Sequence, residues 1–190
     1  MLATLIIIGL VLLLGLQWVI VNYNRMARLR QHIRESWSDI DVELRRRYEL
    51  IPNLVETVKG YAGHERETLE QVITLRNKAV ANTGPAIAQA ADESVLLLAL
   101  KRLFVLAERY PELRADAHFL ALQAELANTE DRIAAARRFY NGNIREMTQL
   151  CETIPTNLLA SMFGFIGGDY FELDGAAERV VPRVVPRVGM

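Results

Sequence analysis

Residues Leu2 to Val21 read LATLIIIGLVLLLGLQWVIV, and the architecture turns on this run. It contains no charged residue, and only Thr4 and Gln17 are clearly polar. At 1.5 Å per residue, a helix of about 20 such residues matches a hydrocarbon core roughly 30 Å thick. A cleaved signal peptide would want a basic start, a shorter apolar run and a small-x-small cleavage site. None of these is present, and the run leads into Trp18 and Tyr23, side chains suited to the lipid–water interface. Residues 1–21 are therefore expected to form a transmembrane anchor. Arg25, Arg28, Arg30 and Arg34 follow before the first acidic residue, Glu35. Positive flanks stay on the cytoplasmic side, so the expected topology is a short N-terminus outside and the main domain in the cytoplasm. Trp18, Tyr23, Arg25, Arg28 and Arg30 become the candidate interface anchors, the arginines reaching anionic headgroups.

Beyond the anchor, the pattern is helical throughout. Met26, Leu29, Ile33, Trp37, Ile40, Leu44 and Tyr48 recur at steps of three and four, one apolar stripe on a helix that continues out of the membrane to Ile51. Pro52 predicts a kink or short break, with a helix from Pro52 to Ala62 after it. Gly63-His64 marks a turn, and a further helix is expected over residues 65–81. Asn82-Thr83-Gly84-Pro85 is the clearest internal break. The next helix, residues 85–109, contains Val95-Leu96-Leu97-Leu98-Ala99-Leu100, apolar all round, so it sits centrally or is covered by a partner. Residues 112–154 carry the strongest signal. Phe119, Leu122, Leu126, Thr129, Ile133, Ala136, Tyr140, Ile144, Met147, Cys151 and Ile154 form a coiled-coil-like seam. As one helix this stretch would be about 65 Å long and could pair with the N-terminal helix.

The expected fold is thus all-α: a transmembrane helix continuing into a long-helix, antiparallel, four-helix-type bundle over residues 22–155. Residues 156–190 differ, being apolar and glycine-rich at first and then extended. Phe163, Phe165, Tyr170 and Phe171 either pack back on the bundle, the preferred reading, or form a lipid- or partner-facing apolar patch. The repeated Val-Val-Pro-Arg of residues 180–187 favours an extended tail.

The chemistry these 190 residues carry is sparse. The formal net charge of −1 gives no field for nucleic acid, and the single cysteine, Cys151, rules out an intrachain disulfide. On the apolar seam, Cys151 reads as a small buried hydrophobe rather than a reactive thiol. His32, His64 and His118 are isolated from one another and read as surface or capping residues. No phosphate loop, nucleophile elbow or zinc-protease motif is present. No catalytic residue, cofactor or metal is expected.

One segment stands out, Ser36 to Tyr61, rich in both signs of charge on a helical frame. Asp39, Asp41, Arg45, Arg46, Arg47, Asn53 and Glu56 are its candidate functional residues. A solvated face with i,i+4 pairs Asp41–Arg45 and Glu43–Arg47 is expected there. The same charges could fix the angle between helices across Pro52, the preferred role, or could form a docking face.

This segment resembles the LemA family of bacterial membrane proteins. The resemblance continues through Ala107-Glu108-Arg109-Tyr110-Pro111-Glu112-Leu113, through Ala136-Arg137-Arg138-Phe139-Tyr140-Asn141, and on to Pro155, Asn157, Gly164-Phe165 and Tyr170-Phe171-Glu172. It covers roughly residues 18–173. Asp116-Ala117-His118-Phe119 varies an asparagine-containing family pattern, and Met147-Thr148 stands where a second Tyr-Asn is common. The resemblance implies a single N-terminal span, a helical bundle and a bacterial inner-membrane location. It carries over no reaction and no catalytic residues. Some members of the family resemble magnetosome membrane proteins and some occur near membrane proteases, which favours assembly or partner binding. The leading expectation is a membrane-anchored scaffold, homo-oligomeric, with the lipid bilayer as one partner. A regulatory adaptor of a membrane protease or transporter is the alternative. Last comes a metal-dependent enzyme using Asp39, Asp41 and Glu56.

Overall fold

The computed structural model describes residues 1–173. Among them are six helices and no strand: α1 (Leu2–Tyr61), α2 (Arg66–Ala81), α3 (Ala86–Ala107), α4 (Pro111–Ala115), α5 (Ala117–Glu152) and α6 (Thr156–Phe163). The Val-Val-Pro-Arg repeat lies outside the described residues.

α1 is 60 residues long, about 90 Å. Its apolar N-terminal stretch is long enough to cross a membrane, and none of it is buried inside the protein. α1 and α5 are antiparallel along most of their common length, as the pairs Arg25–Glu146, Arg46–Glu125 and Tyr61–Asp116 show. α2 descends beside α1 and α3 climbs back. α3 reaches α1 and α5 through long side chains, with Glu93 meeting Arg47 and Phe104 packing edge-on to Phe119.

Pro52 does not interrupt α1. A proline has no N–H to give the carbonyl four residues earlier, here that of Tyr48. Arg76 of α2 supplies the missing donor, its Nε lying 3.0 Å from the Tyr48 carbonyl oxygen. The expected break is thus absent because a neighbouring helix satisfies the orphaned acceptor.

The stretch 112–154, expected as one helix, is two. Tyr110 is extended ahead of Pro111, as a pre-proline residue prefers, and α4 begins at Pro111. Asp116 is extended as well, and its carboxylate accepts the Phe119 N–H at 2.8 Å, an N-cap that starts α5 afresh. The seam from Phe119 to Met147 is buried as the periodicity implies except at the half-buried Ala136, while Ile154 lies past the helix end and is exposed.

Two cores result. The larger runs from Ile40 to Val58 of α1 and Ala62 just past its end, through α2, α3, α4 and α5, and ends on Phe171. The smaller joins Met26 and Leu29 of α1 to Met147 and Leu150 of α5 and to Leu159, Ala160 and Phe165. α6 is a helix that periodicity over residues 156–163 did not announce. It closes on Gly164, whose left-handed φ of 67° favours glycine, and the Phe165 N–H returns to the Ala160 carbonyl.

Candidate functional site

The charged segment of α1 divides between two environments. Arg45 pairs with Asp41 at 2.9 Å on an exposed face, as the four-residue spacing suggests. Arg46 reaches across to Glu125 at 3.0 Å. Asp39 and Asn53 are exposed, and Glu56 is exposed with its partner Lys59 at 3.1 Å. Glu56 also borders an open groove of about 740 Å³ between α1 and α2, lined in part by Val55, Arg66 and Leu69. Asp39, Asp41 and Glu56 do not converge. On one helix at 1.5 Å per residue, Glu56 stands about 22–25 Å along the axis from the two aspartates.

Arg47 corrects the expectation of a solvated face. It does not pair with Glu43. It is wholly buried, with one guanidinium nitrogen on the equally buried Glu93 of α3 and the other 2.5 Å from Glu130 of α5. Glu43 turns instead to Arg132, 3.6 Å away. Tyr48 donates its hydroxyl to Glu93, and Gln89 donates to Glu93 at 3.0 Å and to the Tyr48 oxygen at 3.1 Å. Burial pushes the Tyr48 phenol above its ordinary pKa. Three helices thus share one desolvated polar centre. It sits beside the Tyr48 carbonyl that Arg76 of the fourth, α2, satisfies. Such a centre holds helices in register: sliding any one of them would strand a charge in the core. The sequence did contain a signal for it. Ile40, Leu44, Arg47, Ile51, Leu54 and Val58 form a regular heptad with Arg47 in a core position, and Ala86, Ala90, Glu93, Leu97, Leu100 and Phe104 place Glu93 likewise.

Towards the membrane, α5 carries a clasp. Asn141 gives its amide N–H to the Phe171 carbonyl at 3.0 Å and accepts the Phe171 N–H at 2.9 Å, standing in for a backbone partner. Tyr140 donates to the Asp169 carbonyl at 3.0 Å, and Trp37 packs against both Tyr140 and Phe171. Residues 164–173 therefore run back along α5 as a strap. Gly167 and Gly168 permit the approach: a Cβ on either would come within 2.6 Å of Thr148 Oγ1 or 2.7 Å of Ile144 Cδ1. The chain belongs to the LemA family. A profile of that family matches residues 36–185, which takes in the buried centre, the clasp and α6. Magnetosome protein MamQ 2 of Paramagnetospirillum magneticum is 24% identical, over 90% of this chain and 71% of its own length. MamQ of Magnetospirillum gryphiswaldense is 23% identical over the same shares. Protein LemA of Metamycoplasma hominis is 28% identical over 72% of this chain and 63% of its own. The LemA resemblance drawn from Tyr140-Asn141, Gly164-Phe165 and Tyr170-Phe171 rests, in this member, on residues that hold the strap to the bundle.

The expected apolar patch splits. Phe165 and Phe171 are buried and Tyr170 is half-buried, so these three pack back, while Phe163 remains partly exposed. Of the interface anchors, Tyr23 meets Phe163 edge-on at 4.8 Å and Phe165 at 5.7 Å. Arg30 lies over the Phe165 ring at 5.0 Å, and Arg25 pairs with Glu146 at 2.8 Å. Trp18 and Arg28 are exposed. Cys151 is half-buried, its thiol 3.6 Å from the Phe165 carbonyl, and burial raises its pKa. His32 pairs with Glu35, while His64 and His118 are exposed.

Proposed function

We propose that this LemA-family protein is a membrane-anchored, non-catalytic scaffold, held by α1 in the bacterial inner membrane with its bundle in the cytoplasm and acting through contacts between copies. The observation that carries this reading is the outward side of α3. Ile87, Ala91, Val95 and Leu98 follow helical spacing there, and Val105 continues the side beyond an exposed Arg102; Ile87, Ala91, Val95 and Val105 are exposed and Leu98 is half-buried. The other face of the same helix fills the core. A row of apolar side chains left in water is an unspent driving force for association. Anchoring many copies in one plane and orientation raises their effective concentration, so weak lateral contacts suffice. The charged segment of α1, by contrast, is largely engaged within the chain, which favours its orienting role over docking. Relatives named as magnetosome proteins are in keeping with a membrane-associated part.

The test is crosslinking in intact membranes. With Cys151→Ser removing the native thiol, Val95→Cys or Val105→Cys is expected to give dimers and higher adducts with a short bis-maleimide. Expression without adducts at either position contradicts self-assembly through α3. The groove beside Glu56 favours a second reading, an adaptor that holds a segment of a membrane protease or transporter. Co-purification of such a partner, lost on Glu56→Arg and kept on Val95→Glu, would put that reading first.

A further inference from the structure

Between Glu152 and Asp169 the chain contains no charged residue. α6 occupies the middle of this stretch and is two-faced. Thr156, Leu159 and Ala160 are buried, while Leu158 and Met162, one turn apart, are each 68% exposed. Ile154 before the helix is 79% exposed and Ile166 after it 80%. These are among the most exposed large apolar side chains outside the span, and they lie at the end of the bundle where the apolar stretch of α1 leaves it.

Their height along α1 is fixed by contacts. Val19, two residues before the apolar run ends, packs into the same cluster as Leu159 and Ala160, and Tyr23 packs on Phe163. α6 therefore overlaps the last turn of the span. From Val19 to Arg25 the helix rises about 9 Å, the depth of a headgroup layer. Arg25 stands at the far edge of that layer, and Arg28 and Arg30 follow about 4.5 and 7.5 Å further along, close enough for long side chains to reach a bilayer's phosphates. The exposed side of α6 is thus level with the end of the apolar stretch of α1.

We propose that α6 and its flanks, from Ile154 to Ile166, form a second membrane contact, seated in the headgroup layer beside the end of the span. The occupant is the lipid bilayer itself. Leu158, Met162 and Ile166 enter the boundary of the acyl region while Arg28 and Arg30 remain among the headgroups. With two points of contact, the helix pair cannot tilt freely about a single span. The bundle is then held at a set angle to the membrane, and neighbouring copies share one orientation. The proposal rests on the membrane anchoring of α1, so its test carries a separate control for that.

Full-length Cys151→Ser protein would be reconstituted into vesicles of phosphatidylcholine and phosphatidylglycerol. Single cysteines placed at Leu158, Met162, Ile166, Leu12 or the exposed Asn128 of α5 would carry an environment-sensitive fluorophore. Quenching would be compared between spin-labelled lipid and aqueous iodide. The expected result is several-fold stronger lipid quenching at 158, 162 and 166 than at 128, with blue-shifted emission, and strong lipid quenching at 12. If 12 is quenched by lipid but 158, 162 and 166 follow iodide as 128 does, α6 stands in water and the proposal is overturned. If those three are shielded from both quenchers, a protein covers them, and the proposal is overturned in favour of a partner. If 12 itself escapes lipid quenching, the anchor reading fails first.

Discussion

The half of the bundle far from the span and the half next to it solve the same packing problem differently. Around Arg47 the molecule is four helices thick, and leucines and alanines of α2 and α3 complete the core around α1 and α5. From Ser36 down to Arg25, the described cross-chain contacts of α1 involve only α5, α6 and the strap. There the thinner pair is sealed by aromatic side chains, by Asn141 holding a backbone, and by two glycines that let the strap lie close. The far half fixes register with a buried charge cluster, whereas the near half fixes it with directional hydrogen bonds to a returning chain.

The comparison breaks most decisively if the buried cluster is not a register device. Arg47→Ala leaves Glu93 desolvated and only partly compensated, a loss of about 3–5 kcal/mol. Arg47→Met combined with Glu93→Leu should recover most of it. Thermal and denaturant unfolding of these two variants and the parent in detergent would check this, and a double variant no more stable than Arg47→Ala would contradict it. Next in size is the freed carbonyl at Pro52. Arg76→Ala removes its donor and should cost about 1–3 kcal/mol, with faster hydrogen exchange centred on α1 near Tyr48. In the near half, Asn141→Ala should also cost about 1–3 kcal/mol. Its exchange signature should appear in residues 169–173 while the four-helix core stays protected, because the strap can leave without opening the larger core. Loss of protection in α3 would dissolve the distinction between the halves.

Smaller effects sharpen it. The Asp116 carboxyl is held below its usual pKa, first by the Phe119 N–H and then by the Tyr61 hydroxyl. A depressed folded pKa means its contribution is complete above the unfolded value, about 4, and is lost as pH falls through the folded one. The α4–α5 corner should therefore loosen in acid, read from exchange at Phe119, and Asp116→Asn should flatten that response while keeping the cap. Arg45→Ala, at the exposed pair with Asp41, should change stability by less than about 0.5 kcal/mol.

The fold was legible wherever apolar spacing carried it: the stripe from Met26 to Tyr48 and the seam from Phe119 to Met147 face the core, buried except for the half-buried Ile33, Trp37 and Ala136. What escaped depended on partners distant in sequence. Arg47 has a local candidate in Glu43, and four-residue spacing favours that pair; its heptad position points to the core, but only Glu93 on another helix shows what compensates its charge there. Pro52 promises a break because its cure, Arg76, lies 24 residues away. α6 was hidden by brevity, since two turns give too few repeats for a period to register. The exposed outer face of α6 then follows from contacts with Val19 and Tyr23 that no local pattern contains.

The scaffold reading is tested most directly by the mass and shape of the full-length protein in mild detergent, measured by light scattering together with electron-microscope imaging. The account predicts discrete particles several times the 21.5 kDa of one chain, reduced in size by Val95→Glu. A monomer at every concentration, unchanged by that substitution, would contradict it.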